Sequence, residues 1–158
     1  MITWYNDENL KIEFDIEPDV RIRYTTPFST DIEIASIKKF PFRNKKPLEV
    51  RIEDKIKGRL YGFTIPAYNF DGLTIPRFAF SLIGVAKQDN RGLIAACLHD
   101  WLCLHKNLIW YDRALSTNVF NALLKVGGMD KLRRFIMKNS VAFFQTFFAD
   151  WGLQWTTN

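Results

Sequence analysis

Apolar and charged residues alternate strictly along Leu10-Lys11-Ile12-Glu13-Phe14-Asp15-Ile16, the period of a strand with one buried face. Val20-Arg21-Ile22-Arg23-Tyr24 repeats the pattern, and Glu17-Pro18-Asp19 supplies turn residues between the two. The same reasoning predicts short strands at Asp31–Ile37, Leu48–Ile52 and Leu60–Ile65, with a charged loop from Pro41 to Pro47. The period then changes. From Asn90 to about Lys106, Leu93, Ile94, Cys97, Leu98, Trp101 and Leu102 recur at helical spacing. Asp112 is placed to cap a second helix carrying Leu115, Val119, Ala122, Leu123 and Val126, which Gly127-Gly128 ends. Asp130 is placed to cap a third, with Leu132, Phe135, Ile136, Phe143, Phe147 and Trp151. Strands first and helices afterwards predict an α+β fold: a small N-terminal antiparallel sheet followed by three C-terminal helices.

Length adds that 158 residues fit one domain, here expected to span 1–158. The apolar fraction of 47% is that of a globular chain rather than a disordered one. Aromatics reach 15%, which predicts a dense core or an adhesive surface. The net charge of +5 permits an anionic partner, but Lys38-Lys39 and Arg43-Asn44-Lys45-Lys46 also read as solvated loops. No helix-turn-helix or zinc-finger pattern is present, so no specific nucleic-acid partner is expected. The start, Met1-Ile2-Thr3-Trp4-Tyr5-Asn6, has neither the basic nor the apolar run of a signal peptide, and no apolar stretch approaches membrane-spanning length. Cys97 and Cys103, six residues apart on one helix, would lie on the order of 9 Å apart, too far for a disulfide.

Two segments do not serve core building alone. In Asp71-Gly72-Leu73-Thr74-Ile75-Pro76-Arg77 the glycine permits a tight turn and the proline stiffens its exit, fixing a carboxylate, a hydroxyl and a guanidinium. A rigid ligand site and a loop whose charges pair with helix ends both fit that pattern. In Ala95-Ala96-Cys97-Leu98-His99-Asp100-Trp101-Leu102 an imidazole and a carboxylate interrupt an apolar helix face, where each needs a partner or a cleft. Cys103 shares the face of His99, whereas Asp100 is turned about 100° away. Such a histidine serves as a general base, a metal ligand or a satisfied structural residue. Arg113, Thr117 and Asn121 form a polar row on the next helix, either facing His99 or solvated.

Taken in order, these motifs resemble domain-of-unknown-function family 1353, a phage and prophage family. Its pattern runs Asp-Gly-Ala-Ser-Ile-Pro-Arg, then His-Asp-aromatic-Leu-Tyr, then Arg-x-x-Ala-Asp-x-x-Phe. Asp71, Gly72, Thr74, Pro76, Arg77, His99, Asp100, Arg113 and Phe120 fit, while Cys103 stands at the family's Tyr and Thr117 at its later Asp. The resemblance covers a motif-bearing portion, about 60–151, and leaves a β-rich portion, 1–58, outside it. The family pattern also looks like the His-Asp helix pair of secreted phospholipases A2, at the level of the motif alone.

The resemblance implies a phage or prophage protein, and two functions are open to it. One is a small hydrolase of cell-envelope material: His99 as base, Asp100 and Asp71 orienting it or holding a divalent metal together with His99, Arg77 on an anionic or carbonyl oxygen, and Thr74, Arg113 and Thr117 binding. The other is a non-enzymatic virion or tail accessory protein, or an inhibitor of a host protein, which the changes at Cys103 and Thr117 favour. The expected location is the cytoplasm of the infected host or the virion.

Overall fold

The computed structural model describes residues 1–72 and 90–147. Four strands form one antiparallel sheet in the order β1 (Ile2–Asn6), β2 (Leu10–Phe14), β5 (Leu48–Asp54), β6 (Arg59–Ile65). Alternation sets the register. Leu10, Ile12 and Phe14 of β2 are buried opposite Asp54, Ile52 and Val50, so one face of the sheet enters the core. A second, three-stranded antiparallel sheet has the order β3 (Val20–Ile22), β4 (Phe42–Asn44), β7 (Tyr68–Phe70). The expectation of one small sheet is therefore corrected to two. The sequence pattern does not predict β1 or β7, and the predicted Pro41–Pro47 loop contains β4.

A second correction concerns Asp31–Ile37, which forms a helix, α1 (Asp31–Lys39), rather than a strand. Thr30 Oγ1 accepts the Glu33 N–H at 3.2 Å while the Glu33 carboxylate accepts the Thr30 N–H at 3.2 Å, a reciprocal capping box. Acidic residues in the first turn and Lys38 and Lys39 in the last complement the helix dipole. No residue of α1 is buried, so the alternating isoleucines had no core face to fill and local capping decided the outcome. Arg23 ties the far end down, donating to the Phe40 carbonyl at 2.9 Å.

The expected C-terminal helices are α2 (Leu93–Leu104), α3 (Arg113–Val126) and α4 (Lys131–Phe147). Three-residue-per-turn segments precede α2 (Asn90–Gly92) and follow it (Lys106–Ile109). Asp112 caps α3 by accepting the Leu115 N–H at 2.9 Å, and Gly127 ends the helix where any Cβ would lie 2.1 Å from the Arg91 carbonyl oxygen. α2 packs on α3 and α3 on α4, and α3 also touches β1. The core joins the inner faces of both sheets to the buried sides of α2 and α3, from Ile12, Ile52 and Ile65 to Leu98, Phe120 and Leu124. Among the described residues no helix is long and apolar enough to cross a membrane.

Candidate functional site

The small residues Ala95, Ala96 and Cys97 let other elements approach α2 closely, and all three are buried. β7 takes that approach: the Tyr68 hydroxyl donates to the Cys97 carbonyl at 2.5 Å and its ring meets Trp101 edge-on at 5.0 Å. Phe70, next but one along β7, packs against Phe42 at 5.7 Å. The strand therefore delivers Asp71-Gly72 onto the helix. Gly72 has φ +97°, and a Cβ there would lie 2.4 Å from the buried Phe42 ring, so both conformation and space require glycine.

A hydrogen bond joins the turn to the helix. The Gly72 N–H donates to Asp100 Oδ2 at 3.2 Å. Asp100 Oδ1 lies 3.9 Å from His99 Nδ1, and the Cys103 sulfur sits 3.8 and 3.7 Å from the two ring nitrogens. Phe120 of α3 packs on the same ring at 5.1 Å. The His99 side chain is 5% exposed and that of Asp100 14%. Burial opposes a charged imidazole, but the Cys103 sulfur and the Asp100 carboxylate outweigh it and push His99 up to about 9. Burial also raises Asp100, against the pull of His99 and the Gly72 N–H, and Asp71 adds to the rise. The shift favours the imidazolium, which makes the ring a proton donor before it is an acceptor. Cys97 is different: burial pushes its thiol up to about 12, an inert core group. Cys97 and Cys103 are not joined by a disulfide.

His99 and Asp100 stand together and Asp71 lies near enough to Asp100 to raise its carboxyl, while Thr74 and Arg77 lie outside the described residues. Among the described residues no group of three or more His, Cys, Asp or Glu side chains is arranged to hold a metal ion. Arg113 and Thr117 line a groove of about 680 Å³ together with Lys57, Arg59, Trp110 and Lys138. Thr117 is buried and donates back to the Arg113 carbonyl at 3.1 Å, a bond within its own helix. Sequence reasoning missed the roles of the Gly72 N–H and Phe120, which are contacts between distant segments. It missed the groove as well, whose Trp110-Tyr111 corner carries no local signature.

The fold and this site describe an α+β protein with a buried His–Asp pair on a helix, braced by a glycine turn. The family described as Protein of unknown function (DUF1353) matches residues 48–141, and the chain belongs to that family. The matched range runs from β5 into α4 and holds the whole His99 cluster, leaving β1 to β4 and α1 before it. No curated protein and no solved structure matches the chain.

Proposed function

We propose that the chain is a small phage- or prophage-encoded hydrolase of cell-envelope material, with His99 as its acid–base group. The observation that carries this reading is the Gly72–Asp100 hydrogen bond, which gathers two carboxylates and a cationic imidazole around one turn. Asp100 holds the imidazolium, which gives its proton to the leaving oxygen as that bond breaks. The water oxygen that takes its place returns a proton to the ring. Asp71 orients that water, Arg77 receives the oxygen on which negative charge develops, and Thr74, Arg113 and Thr117 bind the remainder of the substrate.

The test incubates the purified chain with peptidoglycan sacculi and, separately, with phospholipid vesicles, and follows soluble fragments and free fatty acid. His99→Gln should lower turnover by roughly 100-fold or more. It also removes a buried cation, so Asp71→Asn, at a half-buried position, is the companion variant and should lose turnover while staying folded. No release from either substrate by the unaltered chain, or wild-type rates in both variants, would overturn the reading.

The 5% exposure of His99 favours a second reading, a non-enzymatic virion or tail accessory protein or an inhibitor of a host protein. A complex of fixed stoichiometry with a virion or host protein on size-exclusion chromatography, without turnover, is its signature.

A further inference from the structure

Two consecutive non-glycine residues, Trp110 and Tyr111, have positive φ values of 55° and 60°. This double left-handed corner reverses the chain between the end of the Lys106–Ile109 turn and the N-cap Asp112. It leaves Trp110 60% exposed, an unusual setting for a tryptophan. The ring is nevertheless held in place. The Arg59 guanidinium lies 4.6 Å from its centre, and Tyr61 meets it edge-on at 5.9 Å. Trp110 therefore forms a fixed aromatic platform on the wall of the 680 Å³ groove.

The charges around that platform are one-sided. Lys57, Arg59, Arg113 and Lys138 line the groove, with Asp112 the one carboxylate and Tyr111 the other titratable group among its described lining residues. Asp112 is already engaged by Lys57 and by the Leu115 N–H. Among the described residues no ion pair engages Arg59, Arg113 or Lys138. Three cations that no described carboxylate pairs with favour an anionic ligand. Neutral sugars would meet an excess of donors and few acceptors for their hydroxyl hydrogens. A flat ring beside phosphate-binding cations is instead the arrangement that accepts a stacked base and its phosphate. The start of α3, at the same end of the groove, adds the positive pole of a 14-residue helix.

We propose that this groove binds a nucleotide unit, with the base stacked on Trp110 and the phosphate held by Arg113 and Lys138. Base stacking and phosphate pairing read no sequence. The unit comes either as a free nucleotide or as part of a single strand, and the two sources separate experimentally. The groove uses none of the His99 cluster, although Arg113 and Thr117, which the hydrolase reading assigns to substrate binding, also line it.

The experiment titrates AMP, by tryptophan quenching, and a fluorescein-labelled short oligo-dT, by anisotropy, at 50 and 200 mM salt. Trp110→Asn removes the ring with a residue that tolerates the left-handed backbone, and Trp110→Phe keeps an aromatic face. The asparagine variant should weaken binding roughly 5- to 100-fold, and phenylalanine should restore most of it. Arg113→Ala with Lys138→Ala should weaken binding and reduce the oligonucleotide's salt slope by about 1.4. Binding of both probes assigns a free nucleotide, and binding of the oligonucleotide alone assigns a strand. Circular dichroism confirms that each variant is folded. Failure of both probes to bind overturns the proposal. So does oligonucleotide binding that Trp110→Asn leaves unchanged and that heparin reproduces, because the groove would then be a non-specific cation patch.

Discussion

The Gly72 N–H and the Asp100 carboxylate, 3.2 Å apart, join a turn at the end of β7 to the middle of α2 across 28 residues of chain. Through that bond the second sheet is registered against the helix that carries His99. Asp100 accepts it on Oδ2 and keeps Oδ1 towards the imidazole, so one carboxylate braces the turn and balances the cation. Bonds to an ionised acceptor in a buried setting are worth more than neutral ones, and leaving the acceptor unpaired costs more still.

Gly72→Ala should therefore be among the most damaging small substitutions in the protein. The added Cβ enters the ring of Phe42, which is fully buried, at a φ that L-residues avoid. A loss of roughly 2–4 kcal/mol is expected from strain and overpacking together. Urea denaturation measures it, and a midpoint unchanged from the parent chain would contradict the geometry.

Stability should fall with rising pH across the neutral range, and His99 should be the cause. Its folded-state value, about 9, lies above the ordinary 6.5, so its contribution is fully present below about pH 6.5 and is lost as pH rises through about 9. The contribution is on the order of 3 kcal/mol. Cys97, raised to about 12, adds a loss of the same sign above about pH 9. Thermal melts at half-unit intervals from pH 6 to 9 should show a steady decline in the parent chain and a nearly level midpoint in His99→Gln. An equal decline in both would assign it to other groups.

Thr30→Ala removes half of the capping box on α1 and should cost about 1 kcal/mol locally. Because no residue of α1 is buried, the global melt should barely move. Amide exchange in α1, beginning with the Glu33 N–H that the Thr30 hydroxyl accepts at 3.2 Å, should quicken roughly fivefold. Unaltered exchange would show that Arg23, rather than the cap, maintains this helix.

How far the sequence disclosed all this depended on whether a pattern had a core to face. β2 and β5 alternate because one face is buried, and they were readable. α2 and α3 were readable for the same reason, and Asp112 caps α3 as its position predicted. Ile32 and Ile34 alternate with charged residues without such a face, and a Thr–Glu capping box made the segment helical. β1 lies at a sheet edge with no fully buried residue, so it offered little periodic signal. In the site, His99 and Asp100 stood out as charges on an apolar helix, and Gly72 as a turn former. Cys103 could be placed on the face of His99 because both lie on one helix; what the sequence did not disclose was Phe120 against the imidazole and the Trp110 groove, which arise from packing between separate elements.

The most direct test of the account is an NMR titration of the His99 ring in the parent chain and in Asp100→Asn and Cys103→Ala. A buried imidazolium held by Asp100 and Cys103 predicts a midpoint near 9 in the parent chain and a lower one in each variant. A ring that titrates near its ordinary 6.5 in all three proteins would contradict it, because no held cation would then exist at the centre of the site.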